Sequence, residues 1–375
     1  MSTVLICCDK FKGSATSAAV SGALGIALAQ AGHKVSIAPL ADGGDGTLEA
    51  FDQLGYRRQS AQVTGSDGDL VKAEYALKES TAVIEIARAC GLDLASPNGQ
   101  APTSEAAVQA TSWGVGDLIK ATLDKGAQRI IIGLGGSATT DAGFGMAQAL
   151  GVKFLNSAGA AITQVRDLKL VHAVNLEELD PRLAGTEFLI ASDVRNPLFG
   201  TNGAAVIYGP QKGLNGASVI KVDAAIKHLA AVVEQETGRV GEADRAGAGA
   251  AGGLGFMAMA LFNAQMCSGV DMILDETGGE KLLDHADLVI TGEGRIDAQT
   301  LSGKAPAGIA ERARSRNIPV VAVCGQNQLL HASANTLFDA IYSLTDYEAD
   351  IAKCIHNPLP ILERIGADIA KHHLA

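Results

Sequence analysis

Short aliphatic runs, each closed at once by a loop rich in Gly and Asp, constrain this chain more than any other feature. They occupy residues 3–8, 34–41, 82–87, 129–134, 188–191, 288–291, 319–324 and 339–344. Apolar and β-branched runs of this length, bounded by breakers, predict strands buried on both faces. Helical patterns lie between several of them: Ser14 is the expected cap of a helix reaching residue 31 and closed by Gly32, with further helices expected over 111–125 and 305–316. Strands alternating with helices predict an α/β protein built on parallel sheets.

One stretch departs from that rhythm. Residues 58–77 read as two alternating segments around Gly65-Ser66-Asp67-Gly68, which predicts an antiparallel hairpin. The parallel rhythm returns cleanly only at Leu288. The strands expected near residues 3, 34, 288, 319 and 339 are enough for one flavodoxin-like sheet. We therefore expect a discontinuous flavodoxin-like domain from residues 1–57 and 286–375, with a second α/β domain inserted at 58–285. A chain of 375 residues is also longer than one hydrophobic core usually supports.

Composition narrows the partners. Apolar residues make up 47% of the chain and aromatics only 4%, with 44 glycines, which suits strands packed under helices. Against 30 basic side chains stand 41 acidic ones, a net charge of −11, so nucleic acid and anionic membranes are not expected partners. Cys7, Cys8, Cys90, Cys267, Cys324 and Cys354 form no C-x-x-C pair or zinc-spaced cluster. Cys7, Cys8, Cys90 and Cys324 sit in or beside apolar runs and read as small buried hydrophobes. The opening MSTVLICCDKFKG has no basic region ahead of a long apolar one, and the most apolar window, 250–264, is broken by glycine. A cytoplasmic protein is expected.

In open parallel sheets, ligands gather at the carboxyl ends of strands, and the polar clusters fall there. Asp9-Lys10-Phe11-Lys12-Gly13-Ser14 follows the first strand, and Asp42-Gly43-Gly44-Asp45 follows the second. Gly133-Leu134-Gly135-Gly136-Ser137 follows the strand near 130, Ser192-Asp193-Val194-Arg195-Asn196 the one near 190, and Gly292-Glu293-Gly294-Arg295-Ile296-Asp297 the one near 290. Asp42 and Asp45 offer hard oxygens suited to Mg²⁺, or an ordinary Asp/Gly turn. Gly135, Gly136 and Ser137 could open a helix whose first amides hold an anion, or merely allow a helix to pack on a strand. Asp193 could accept the proton of an attacking hydroxyl, or form an Asx turn. Lys212, in Gly209-Pro210-Gln211-Lys212-Gly213, is a candidate cation or a solvated turn residue. Lys304 follows Gly303, but without the Gly and Ser/Thr of a Walker A loop, so any ATP site is of another kind.

Taken in order, these clusters resemble one family. The blocks DKFKGSATSAAV, APLADGGDGT, VIEIARACGL, TSWGVGDLI, GLGGSATTDAGFGMAQALG, SDVRNPLFGTNGAAVIYGPQKG, GAGAAGGLGF and LVITGEGRIDAQTLSGKAP are similar to those of bacterial glycerate kinases of the glycerate 2-kinase type, over essentially the whole length. Lys10 departs from the serine usual in that family, and Asp45 from the common glutamate. The resemblance implies a flavodoxin-like domain, an inserted domain likened to restriction endonucleases, and an active site in the cleft between. It also implies ATP and Mg²⁺ as cosubstrates, D-glycerate as acceptor and 2-phosphoglycerate as usual product.

On that basis the catalytic candidates are Asp193 as base, with Lys12 and Arg295 neutralising charge. Asn196, Gly135, Gly136, Ser137 and Lys212 are the candidates for holding substrate, Asp9, Gly294 and Lys304 for the nucleotide, and Asp42, Asp45 and Asp297 for the metal. A monomer or homodimer is expected. A hydroxy-acid dehydrogenase would need the dinucleotide fingerprint the chain lacks. A non-catalytic acid sensor would need a DNA-binding or signalling appendage, and none is apparent.

Overall fold

The computed structural model describes residues 1–41, 43–298, 300–302, 305–329 and 337–374. Among them the strands are β1 (Thr3–Cys8), β2 (Lys34–Ile37), β3 (Arg57–Thr64), β4 (Leu70–Lys78), β5 (Thr81–Glu85), β6 (Arg129–Gly133), β7 (Lys153–Leu155), β8 (Ala173–Asn175), β9 (Glu187–Ala191), β10 (Gln265–Cys267), β11 (Leu288–Ile296), β12 (Val320–Asn327) and β13 (Ala340–Ser343). The chain divides into two compact units, Met1–Asp42 with Gly269–Ala375, and Gly43–Ser268.

The first unit holds a five-stranded sheet in the order β13-β12-β11-β1-β2, parallel throughout. Counted along the chain this is 2-1-3-4-5, the flavodoxin-like order, so the fold class expected from the aliphatic runs holds. Val4, Ile6, Leu288, Ile290, Val321 and Val323 pack in one core with the helices Ser17–Gln30 and Leu359–His373. Leu5, Cys7, Val289, Val320, Ala322 and Cys324 pack in another with the helix Ala305–Ser315. Burial on both faces explains why these strands read as unbroken apolar runs instead of alternating ones. Cys7, Cys8, Cys90 and Cys324 are buried, as their apolar surroundings predict. Among the described residues no helix is long and apolar enough to cross a membrane.

The second unit carries a six-stranded sheet, β10-β9-β6-β5-β4-β3. Strands β5, β6, β9 and β10 run parallel, while β3, β4 and β5 are antiparallel neighbours. The hairpin expected from the 58–77 pattern is β3–β4, with Thr64 opposite Leu70 and Gly68 at φ +93° in its turn. A separate pair, β7–β8, joins two three-residue strands, too short to leave a pattern in the sequence.

Three local expectations change. Thr16, not Ser14, caps the first helix by accepting the Ala19 N–H, while Ser14 Oγ donates to the Ile355 carbonyl at 2.6 Å. Strand β11 does not end at Thr291 but runs on through the Gly-Glu-Gly-Arg segment to Ile296, paired with Asn327. A Cβ on Gly292 would stand 2.0 Å from the Val323 carbonyl oxygen, and one on Gly325 2.6 Å from that of Gly294. Those glycines mark close approach of two strands, not a loop. The seams between units fall at residues 42/43 and 268/269 instead of the expected 57/58 and 285/286. The helix Thr47–Gln53 packs on β4 and β5, and the helix Gly269–Thr277 packs on Ala305–Ser315, which accounts for the shift.

Candidate active site

Candidate residues gather in each unit. In the first, β1 and β11 are neighbours whose connections leave the sheet in opposite directions, the switch point at which parallel sheets bind ligands. There a cavity of about 480 Å³ is lined by Asp9, Lys10, Lys12, Glu293, Gly294 and Arg295, with Ala305 and Pro306 opening the helix Ala305–Ser315 beside it. The Asp9 N–H donates to the Gly292 carbonyl and Asp9 Oδ1 accepts the Lys10 N–H, which pins the loop to the strand end. Arg295 is paired with Asp297 at 3.2 Å. The fully buried Thr300 hydroxyl donates to Glu293 at 2.7 Å, fixing that carboxylate. So Asp9, Lys12, Gly294 and Arg295 meet around one cavity, and Asp297 braces its arginine. Lys304 lies outside the described residues.

In the second unit, glycines are spent on backbone contact. Gly43 stands at φ +80°, where a Cβ would meet the Ala191 carbonyl oxygen at 2.2 Å, and its own carbonyl accepts the Gly135 N–H. A Cβ on Gly133 would lie 2.5 Å from the Gly43 oxygen, and one on Gly135 2.2 Å from Gly44 Cα. These contacts lay the Gly43–Asp45 segment against the ends of β6 and β9, next to the segment that carries Asp193. Asp45 is exposed and Asp193 half-buried, on the turn formed as Val194 N–H donates to Ser192 Oγ. Asp42 lies outside the described residues.

The expected helix at Gly135-Gly136-Ser137 is absent; the next helix is Phe144–Ala149. The loop instead pairs with the Cys90–Leu92 segment, through Ala138 N–H to the Cys90 carbonyl and Leu92 N–H to that of Gly136. Small residues here let two chain segments lie together, leaving no free helix terminus for an anion. Lys212 is not a solvated turn residue either: it is 3% exposed, and its ammonium donates to Ser137 Oγ at 2.8 Å and to the Thr139 carbonyl at 2.7 Å. Burial pushes it down to about 8, against the opposing pull of Cys90 and Asp141. Both polar ends of the Asn196 amide are engaged, its nitrogen on the Asn202 carbonyl and its oxygen by Tyr208 OH. Asn196 thus shapes the loop after Asp193.

Two carboxylates not singled out from the sequence organise this neighbourhood. Glu85 ends β5 opposite Gly133, is 1% exposed, and accepts the Leu48 N–H at 2.7 Å and Arg88 Nε at 2.9 Å. It thereby anchors the start of the helix that follows Asp45. Asp141 is fully buried and accepts four donors: Ser112 N–H, Ser112 Oγ, Gly143 N–H and Gly145 N–H, at 2.7 to 3.1 Å. Burial raises its carboxyl, and these hydrogen bonds oppose the rise. Asp141→Ala would leave four buried donors without an acceptor. A loss of about 3 kcal/mol or more is expected from urea unfolding. A loss under about 1 kcal/mol would show that the network relaxes without it.

Among the described residues no three His, Cys, Asp or Glu side chains converge as a metal cage. The expected trio of Asp42, Asp45 and Asp297 is not one cluster within either unit, since Asp45 lies in the second and Asp297 in the first. A Mg²⁺ carried by phosphates asks less: one or two carboxylates, the rest of its shell being phosphate oxygens and water. Asp9 and Glu293, in a cavity that also holds Lys10, Lys12 and Arg295, meet that requirement.

Comparison with known proteins agrees with the block pattern. The family model described as the glycerate kinase family matches residues 4–374. A glycerate kinase of Halalkalibacterium halodurans is 38% identical over 377 residues, covering 99% of this chain and 98% of its own. The glycerate 2-kinase of Escherichia coli K12 is 41% identical over 292 residues, covering 76% of this chain and 75% of its own. The crystal structure of a proposed glycerate kinase 2 from Salmonella typhimurium LT2 superposes with a TM-score of 0.83 at 35% identity, covering all of both chains.

Proposed function

Because this chain belongs to the glycerate kinase family, we propose that it transfers the γ-phosphoryl group of ATP to the 2-hydroxyl of D-glycerate, giving 2-phosphoglycerate and ADP. One observation carries the choice of a polyphosphate donor: Lys10, Lys12 and Arg295 meet around a single cavity at the switch point of the first unit's sheet. Phosphoryl transfer needs positioning and neutralisation of charge on the transferred oxygens far more than covalent chemistry. Three cations and the start of the helix Ala305–Ser315 supply both for the phosphates. Bound Mg²⁺, with Asp9 and Glu293 as its protein carboxylates, would neutralise phosphate charge.

In the second unit Asp193 is the group we assign to orient the acceptor hydroxyl and take its proton. The Gly43–Asp45 and Gly135–Ser137 segments hold the end of β9 in place around it. The 41% identity to a protein named glycerate 2-kinase supports the 2-hydroxyl as the site of transfer. The test is a ³¹P NMR spectrum of the product formed from ATP, Mg²⁺ and D-glycerate. A proton-coupled doublet is expected, since the carbon at position 2 carries one hydrogen. A triplet, from the two hydrogens at position 3, would overturn the regiochemistry, and no ester signal would overturn the kinase reading.

A further inference from the structure

A second cavity, of about 550 Å³, lies within the Gly43–Ser268 unit, and Lys212 lies in its wall. An ammonium has three donors. Two of those on Lys212 are taken by Ser137 Oγ and the Thr139 carbonyl, both uncharged, while the buried Asp141 carboxylate pulls on the ammonium without accepting a hydrogen bond from it. A cation this deeply buried carries a desolvation cost that the Asp141 pull offsets only in part. It is consistent with the lowered value of about 8. An anion delivered to the cavity would relieve that cost, so the lysine marks where the charged end of a ligand belongs.

The rest of the wall sets the class of that ligand. Ser66, Thr103, Thr163, Gln109 and Gln164 offer hydroxyls and amides, suited to a chain of alcohol groups. Asp67 and Glu105 are exposed at the same cavity, so its carboxylates outnumber its single ammonium. That balance opposes a polyphosphate or a diacid and favours one negative charge. The volume falls in the range of roughly 300–1,000 Å³ typical of pockets for drug-sized ligands, more than a three-carbon acid fills.

We propose that this cavity binds aliphatic hydroxy-monocarboxylates, with the carboxylate on Lys212 and the hydroxyl-bearing chain along the Ser, Thr and Gln wall, and that it admits acids longer than glycerate. The choice of a hydroxy acid rests on the acceptor proposed above; the single charge and the length rest on the wall itself. Occupancy would also act on the loop beneath, because the same ammonium holds Ser137 and Thr139.

Trp113 lines the cavity and is the chain's only tryptophan, so its emission reports occupancy without ATP and without turnover. Titration of the whole protein with D-glycerate and with D-gluconate is expected to change that emission saturably, whereas glycerol at equal concentration leaves it unchanged. Lys212→Gln is expected to weaken both acids at least tenfold. Ala106→Phe, at an exposed wall position that leaves the lysine intact, is expected to weaken gluconate more than glycerate. Should Lys212→Gln fail to fold, Ala106→Phe and the comparison of glycerol with the acids decide alone. Acids that leave the emission unchanged, or that bind both variants as they bind the wild type, overturn the proposal. Turnover of glycerate without a Trp113 response overturns this site and leaves the kinase reading standing; a response without turnover does the reverse.

Discussion

Asp193→Asn is expected to lower kcat for glycerate phosphorylation by roughly two to four decades, the usual contribution of a positioned base, with KM for ATP and the urea midpoint close to wild type. The substitution keeps the shape and the local turn, in which Val194 N–H donates to Ser192 Oγ, a bond that does not involve the replaced atoms. What would be lost is the negative charge proposed above to orient and deprotonate the acceptor hydroxyl. The other buried carboxylates nearby cannot take the role. Asp141 is fully buried and committed to four donors, and Glu85 holds the Leu48 amide and Arg88. Burial closes both to an incoming hydroxyl. Because a lost base acts in the transition state, kcat and kcat/KM should fall together. Near-normal turnover would remove Asp193 from the role, and a lowered urea midpoint would mean that it serves the loop.

How far the residues announced this arrangement depends on how local each interaction is. The first sheet was legible because its three central strands, covered on both faces, are apolar, and together with the two shorter edge runs they can close in few orders. The β3–β4 hairpin was legible for the opposite reason, its alternation and its Gly-rich turn being local. The continuation of β11 through Gly292 and Gly294 was not, because a glycine placed for strand contact looks the same in sequence as one placed for a turn. Lys212 was misleading in the same way. Pro, Gln and Gly around it read as an exposed turn, and its burial is decided by Ser137 and Thr139, more than 70 positions away. Glu85 and Asp141 were silent because part of what each holds, the Leu48 amide and Ser112, lies on another segment. The clustering of Asp9, Lys12, Gly294 and Arg295 was legible only as a set of strand-end loops, since topology alone makes β1 and β11 neighbours.

Gly43→Ala should damage both the second unit's stability and its candidate site. The residue has φ +80°, which a Cβ makes unfavourable by about 1–2 kcal/mol. The new carbon would also stand 2.2 Å from the Ala191 carbonyl oxygen and 2.6 Å from its carbon. Backbone cannot swing aside as a side chain can, so the segment must lift off the end of β9, at a further cost of about 1–3 kcal/mol. Lifting it breaks the Gly135 N–H bond to the Gly43 carbonyl and shifts Asp45 relative to Asp193. A displacement of about 1 Å at reacting groups can cost on the order of a hundredfold in rate. We therefore expect a loss of about 2–5 kcal/mol in urea unfolding together with roughly a hundredfold fall in kcat. Gly55→Ala separates the two causes, because Gly55 has φ +83° with nothing within 4 Å of the added carbon. It should cost only the conformational strain and leave kcat unchanged. Equal losses of stability and activity in the two variants would mean that the contact with Ala191 contributes nothing, and that the glycine is there for its backbone angle alone.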